Sequence, residues 1–75
     1  MQVDVYTTQT CPYCFAAKSL LTEKGISFNE YDVSFDRAMR ENLMDKTGRR
    51  TVPQIFFNEK HIGGFVDLEQ YFKKQ

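Results

Sequence analysis

Apolar and polar positions alternate at the start of the chain, in Val3-Asp4-Val5-Tyr6, and this period of two with β-branched content predicts a strand over residues 2–6. Its apolar side chains suit a central place in a sheet. From Pro12 the period changes: Cys14, Ala17 and Leu21 recur at steps of three and four with Leu20 beside them, while Lys18, Thr22 and Glu23 face water. The spacing predicts a helix over residues 12–24, with Gly25 stopping it as glycine commonly does after a helix. Thr7-Thr8-Gln9-Thr10 is the loop between the two elements.

Residues 26–33 are strand-like around Phe28, Tyr31 and Val33, and the intervening helix makes a parallel pairing with the first strand the expectation. Ser34 is placed to cap a second helix over residues 35–47, with Asp36 in its first turn, Gly48 at its end and an inner stripe of Phe35, Met39 and Leu43 beside Met44. Pro53 stands just before Gln54-Ile55-Phe56-Phe57, where a strand tolerates proline at its first residue and not in its middle. Asn58-Glu59-Lys60 reads as a hairpin connection into a short strand at His61 and Ile62. Gly63-Gly64 breaks that strand and opens a last helix over residues 65–73, with Leu68 and Phe72 inward. The expected fold class is therefore α/β: a sandwich of a four-stranded mixed sheet with three helices, in the order β-α-β-α-β-β-α.

Seventy-five residues, 41% of them hydrophobic, make a single domain over residues 1–75, near the lower size limit for folding without staples or metal. Ten basic residues balance ten acidic ones, so no global field points to nucleic acid or a membrane surface. There is no apolar run of bilayer length and no basic-then-apolar leader, which makes a cytoplasmic location the expectation. In that compartment a cysteine pair is more often catalytic than structural.

Both cysteines of the chain lie in Thr10-Cys11-Pro12-Tyr13-Cys14, where the strand pattern gives way to the helix pattern. The first N–H groups of a helix lack partners within it, and the macrodipole adds partial positive charge there, so a thiolate is stabilised. Free cysteine has a pKa of about 8.5, while thiols at helix N-termini fall to roughly 3.5–7.5. Pro12 suits the first helical position, where a missing N–H has no consequence and φ is already helical. Cys11 is expected to point outward as the attacking thiolate, and Cys14, one turn in and partly covered, to be the resolving thiol. Lys18 reads as a solvated helix charge, two turns from Cys11.

A C-x-x-C pair also serves as half a metal site or as a structural disulfide. So short a loop removes little denatured-state entropy, which weakens the structural reading. Structural zinc normally takes four ligands, and the only further soft donor is His61, so a metal or cluster would have to be shared between subunits. The redox reading is favoured, with no metal expected. Val52, being followed by proline, is biased to extended geometry with its N–H and C=O free for an extended peptide. Asp67, in the first turn of the last helix, is placed to accept from a ligand ammonium, and Arg49 and Arg50 are candidates for a ligand carboxylate.

Three separated signals coincide: Cys11-Pro12-Tyr13-Cys14 after a strand, Thr51-Val52-Pro53 before one, and Gly63-Gly64 followed by Asp67-Leu68. Together they resemble a dithiol glutaredoxin of the thioredoxin-like superfold, over residues 3–72. The resemblance implies that Pro53 is cis and faces the cysteines, and that glutathione is the cofactor and electron donor. It implies that Cys11 attacks glutathionylated substrates and that Cys14 is needed when the substrate is a protein disulfide. Tyr13 would border the groove, Thr51 and Val52 would hold the tripeptide by backbone pairing, and Gly64 with Asp67 would bind its γ-glutamyl end. Phe65 and Val66 complete that stretch, Val66 through its backbone N–H. Many relatives carry lysine where Thr8 stands, and Arg50 is the candidate to replace that charge. The implied partners are glutathione and glutathionylated or disulfide-bonded proteins such as ribonucleotide reductase, acted on by a monomer.

Two other functions remain in view. Gly64-Phe65 resembles the end motif of small redoxins that take electrons from thioredoxin reductase and supply ribonucleotide reductase. An iron-sulfur carrier would hold a cluster with one cysteine per subunit and two glutathiones; Pro12 speaks against it, since family members of that kind usually lack it.

Overall fold

β1 (Val3–Thr7) lies inside the sheet, as its apolar positions require. It pairs parallel with β2 (Asn29–Asp32) and antiparallel with β3 (Gln54–Phe57), and β3 pairs antiparallel with β4 (Lys60–Gly63), giving the strand order β2-β1-β3-β4. The structure, a computed structural model, describes residues 1–74, so Gln75 at the end of the expected domain lies outside the described residues. With α1 (Pro12–Glu23), α2 (Arg37–Thr47) and α3 (Phe65–Lys73), the element order is the expected β-α-β-α-β-β-α.

The two-residue period of the inner strands sorts their side chains onto two faces. Val3 and Val5 of β1 and Ile55 and Phe57 of β3 join Ala17 and Leu21 of α1 and Leu68 of α3 in one buried cluster, so α1 and α3 pack on the same face. On the other face, Tyr6 stacks on Tyr31 at 5.0 Å between ring centroids and meets Phe56 edge-on at 5.7 Å. Asp4 is buried there and accepts from Gln2 Nε2 at 3.0 Å and Asn29 Nδ2 at 3.2 Å. Burial first, and then the Asp4 charge, push the Tyr6 hydroxyl pKa up.

α1 ends one residue earlier than expected, with Lys24 as its C-cap and Gly25 at φ +72° behind it. The N–H groups of Gly25 and Ile26 close back on the carbonyls of Thr22 and Leu21 at 3.0 and 2.9 Å, satisfying the helix end and sending the chain toward β2.

Three expectations are corrected. The second helix begins at Arg37, because the Asp36 carboxylate caps it by accepting from Met39 N at 2.9 Å. Ser34 instead accepts from Gln9 N at 2.9 Å and ties down the loop before the cysteines, while Phe35, ahead of the helix, is 92% exposed and forms no inner stripe. The second strand is only the polar Asn29–Asp32, all exposed on the sheet edge; Phe28 and Ile26 pack on the core from the connection, and Val33 is buried just after it. Lys60 belongs to β4, so the hairpin has a two-residue turn, Asn58-Glu59, with both residues at positive φ as the right-handed twist of the strands favours.

Leu21 is fully buried between the sheet and α3, whereas Phe35 has almost no packing to lose. Leu21→Ala is expected to destabilise the fold by about 2–5 kcal/mol, and Phe35→Ala to stay within about 0.5 kcal/mol of the parent. Urea unfolding of the two variants checks both values.

Candidate active site

Residues 8–10 bring the chain from the end of β1 to Cys11, the N-cap of α1, whose extended backbone (φ −110°, ψ 103°) turns its side chain back over the helix mouth. There Cys11 Sγ accepts from Cys14 N at 3.1 Å, and Pro12 occupies the start of the helix. The Cys11 and Cys14 sulfurs stand at disulfide-bonding distance, with Cα atoms 5.2 Å apart, inside the range a disulfide spans. The Val52 carbonyl lies 3.5 Å from Cys11 Sγ on the other side. The expectation of an outward Cys11 is corrected by this double cover: Cys11 is 8% exposed and Cys14 1%. Cys11 is still the more exposed residue of the two.

The Val52–Pro53 peptide is cis, as the resemblance implied. Pairing of β3 begins only at Gln54, so Thr51 and Val52 lie ahead of the ladder, where they line a groove. That groove, about 210 Å³, is lined by Tyr13, Thr51, Val52, Pro53, Gly64, Phe65, Val66 and Asp67. Tyr13, exposed at 63%, and Phe65 stand 6.1 Å apart between ring centroids on its rim. All eight of these residues were singled out for the site, and they converge here. Arg50 does not join them; it lines a separate cleft of about 670 Å³ with Arg37, Arg40, Glu41, Met44 and Asp45.

Asp67, in the first turn of α3, folds back so that Oδ2 accepts from Gly64 N at 2.9 Å and from Arg49 Nη1 at 2.8 Å. The Arg49 hydrogen bond first, and the Gly64 N–H second, hold its carboxyl below the usual aspartate range. Gly63, at φ +125°, makes this fit: a Cβ there would fall 2.6 Å from Asp67 Cγ. The Arg49–Asp67 pair and the role of Gly63 were missed by sequence reasoning. The signal for Gly63 was the first glycine of the Gly-Gly pair; Arg49 was singled out for a ligand carboxylate, and nothing in the sequence tied it to Asp67, 18 residues away. Lys18 is not a free helix charge: it pairs with Glu30 at 2.9 Å and lies 4.8 Å from the Phe15 ring centre. His61 is held by Gln54 Oε1 at 2.6 Å, and among the described residues no group of three or more His, Cys, Asp or Glu is placed to hold a metal.

A depressed native pKa means that Asp67 favours the folded state above its unfolded value of about 3.9 and loses that contribution as pH falls through the native pKa. Arg49→Gln is expected to move the Asp67 carboxyl midpoint upward, toward the ordinary value, in a carboxyl-carbon NMR titration. An unchanged midpoint would show that the guanidinium does not hold the carboxylate.

Comparison with known proteins places this geometry. A family model described as glutaredoxin matches residues 3–62. Glutaredoxin 3 of Escherichia coli K12 is 52% identical over 66 residues, covering 88% of this chain and 80% of that protein, and a Pseudomonas aeruginosa glutaredoxin is 47% identical over 66 residues, covering 88% and 79%. Among solved structures, a buckwheat glutaredoxin–glutathione complex superposes with a TM-score of 0.90 at 28% identity, covering 96% of this chain and 68% of that one. The solution structure of Brucella melitensis glutaredoxin gives 0.87 at 42% identity, covering 99% and 80%. Among the described residues no helix is long and apolar enough to cross a membrane. With its paired cysteines at the mouth of α1 and these relatives across most of its length, the chain belongs to the glutaredoxin family and is a thiol-disulfide oxidoreductase.

Proposed function

We propose that the protein reduces glutathione mixed disulfides and protein disulfides with glutathione as electron donor, through Cys11 and Cys14. The observation that carries this reading is the seat of Cys11 Sγ on the N-cap of α1, 3.1 Å from Cys14 N and next to the groove that ends at Asp67. The N–H bond and the helix N-terminus both stabilise negative charge on that sulfur. A pKa drop of three units is worth about 4 kcal/mol and converts nearly all of a thiol to thiolate at neutral pH.

In the reaction, the Cys11 thiolate attacks the glutathione sulfur of a mixed disulfide. The Cys11–glutathione disulfide forms, and the substrate leaves as a thiolate that takes a proton from solvent. The thiolate of a second glutathione attacks the bound glutathione sulfur, giving oxidised glutathione and free Cys11. With a protein disulfide, Cys11 first forms a mixed disulfide with the substrate. Cys14 then attacks the Cys11 sulfur, releasing the reduced protein and leaving the Cys11–Cys14 disulfide for two glutathiones to reduce. Cys14, 1% exposed, is out of reach of a bulky substrate and within reach of Cys11, which suits it to this second step alone.

The tripeptide would lie extended along Thr51 and Val52, beside Tyr13 and Pro53, with its γ-glutamyl end at Gly64, Phe65, Val66 and Asp67. Arg50, one residue before Thr51, would serve the glycine carboxylate from outside the groove. That a buckwheat glutaredoxin of the same fold was solved in complex with glutathione supports glutathione as the ligand. The expected setting is a cytoplasmic monomer acting on substrates such as ribonucleotide reductase.

Turnover with glutathione, glutathione reductase and a glutathionylated peptide tests the reading. Inactivity there, with activity when thioredoxin reductase is the electron source, would overturn it. Cys11→Ser is expected to abolish all exchange, and Cys14→Ser to spare deglutathionylation while lowering protein-disulfide reduction at least tenfold. Equal losses in both variants would refute the division of roles. The Cys11 thiolate, followed by ultraviolet absorbance against pH, is expected to form well below the ordinary thiol value of about 8.5.

A further inference from the structure

Phe35 is the most exposed large apolar side chain among the described residues, at 92%. Single exposed apolar residues are common on protein surfaces, but the backbone beneath this one is tied at several points. The buried Val33 donates its N–H to the Thr7 carbonyl at 2.8 Å, and the Ser34 N–H donates to Asp32 Oδ1 at 2.9 Å. The Asp36 N–H closes a turn on the Val33 carbonyl at 3.2 Å, and the Asp36 carboxylate caps α2. Ser34 and Phe35 are the two corner residues of that turn, where glycine, proline and small polar residues are favoured. The helix gives the ring no packing role either. An apolar residue ahead of an N-cap often packs on the fourth helical residue, and here that residue is Arg40.

The turn is joined to the reactive cysteine. Ser34 Oγ accepts from the Gln9 N–H at 2.9 Å, and Gln9 stands two residues before Cys11. With consecutive Cα atoms 3.8 Å apart, this path keeps the Phe35 Cα within about 18 Å of the Cys11 Cα. A protein partner of ordinary interface size covers about 800 Å² of surface, a disc of about 16 Å radius, so a protein seated over Cys11 extends to this turn. The ligand groove does not: its lining includes none of Gln9, Ser34 and Phe35. A short ligand held in the groove therefore leaves the ring in water, and a folded substrate covers it. Together with Tyr13, 63% exposed on the groove rim, Phe35 offers such a substrate a second open aromatic ring near Cys11. Aromatic side chains are the ones enriched as anchors of protein interfaces.

We infer that Phe35 is a docking residue for protein substrates, its ring seating on an apolar surface beside the substrate's disulfide, and that it favours folded proteins over short glutathionylated peptides. This rests on the proposed reduction of protein disulfides and is independent of which thiol reduces the enzyme afterwards. The contact is apolar in kind, because the ring carries no charge and the side chains on either side of it, Ser34 and Asp36, are already bonded to Gln9 and Met39. The ring leaves water when the partner seats, which stabilises the encounter in which Cys11 meets the disulfide. The chemistry at sulfur is untouched. A rigid turn suits this task, since the ring is presented without a loop having to be ordered on binding.

The test uses protein reduced in advance and freed of reductant, mixed with insulin as the protein disulfide or with a glutathionylated pentapeptide, and reads the second-order rate constant of each reaction. With insulin, Phe35→Ala is expected to lose about fivefold, and Phe35→Leu, which keeps apolar surface, to lose less. With the pentapeptide, both variants are expected to match the parent within about twofold, since removing an exposed ring leaves the fold intact. Unchanged rates with insulin would refute the docking role and leave protein-disulfide reduction standing. Equal losses on both substrates would refute it too, because the ring would then act on Cys11 through the Ser34–Gln9 link. A parent that reduces the pentapeptide and not insulin would remove the protein-disulfide reading and the docking role together. A parent that sediments as a dimer at assay concentration, with Phe35→Ala a monomer, would assign the ring to a second copy of this chain and overturn the proposal.

Discussion

The hydrogen bond from Cys14 N to Cys11 Sγ is the contact on which the rest of the molecule depends, since it puts one sulfur where the first turn of a helix has an unpaired donor. The same bond sets the spacing of the motif. With the first cysteine as N-cap, the donor that reaches its side chain belongs to the residue three positions on, and that residue is the second cysteine. One turn of helix therefore gives the first sulfur a backbone donor, brings the second cysteine to it, and buries that second residue. The fold has to hold the mouth of α1 still and bring an extended segment across from it. The core of Val3, Val5, Ala17, Leu21, Ile55, Phe57 and Leu68 does the first, locking α1 to the sheet. The Val52–Pro53 segment ahead of β3 does the second.

Most of this scaffold was legible because its signals are local and periodic. Alternation marked β1, three- and four-residue steps marked α1, the glycines marked helix ends, and the cysteine spacing marked the reactive pair. The misses have a common physical cause. Ser34 and Asp36 are both good caps, and the choice between them was decided by Gln9, a residue on another loop that takes the Ser34 hydroxyl. Phe35 carries a helical apolar signature but sits before the cap, so the stripe never includes it. The partial cover of Cys11 comes from a carbonyl 41 residues away.

Charge at the site follows the same division. That Asp67 sits in a first helical turn could be read along the chain; that its carboxylate is bonded to Arg49 and wedged against Gly63 could not. Arg49 and Arg50 are neighbours in sequence and indistinguishable there, yet the structure sends one to the end of the groove and the other to a different cleft. Gln54 makes that distinction, since its buried amide holds the Arg49 carbonyl. A polar residue on the inner strand β3, with no direct contact to the cysteines among its hydrogen bonds, thus orders one end of the groove.

The outermost strand, β2, has a consequence for what can be added to the sheet. Its four side chains are all open to solvent, and two of them, Glu30 and Asp32, are carboxylates. A free strand edge is a template for recruiting another backbone, and charged residues along it are a common deterrent. In a second copy of the chain docked edge to edge on β2, the same acidic pair would approach its twin, with only Glu30 partly neutralised by Lys18. Lateral growth from that side is opposed by like-charge repulsion, so crowding of many copies meets resistance without any loop or helix being spent to shield the ribbon.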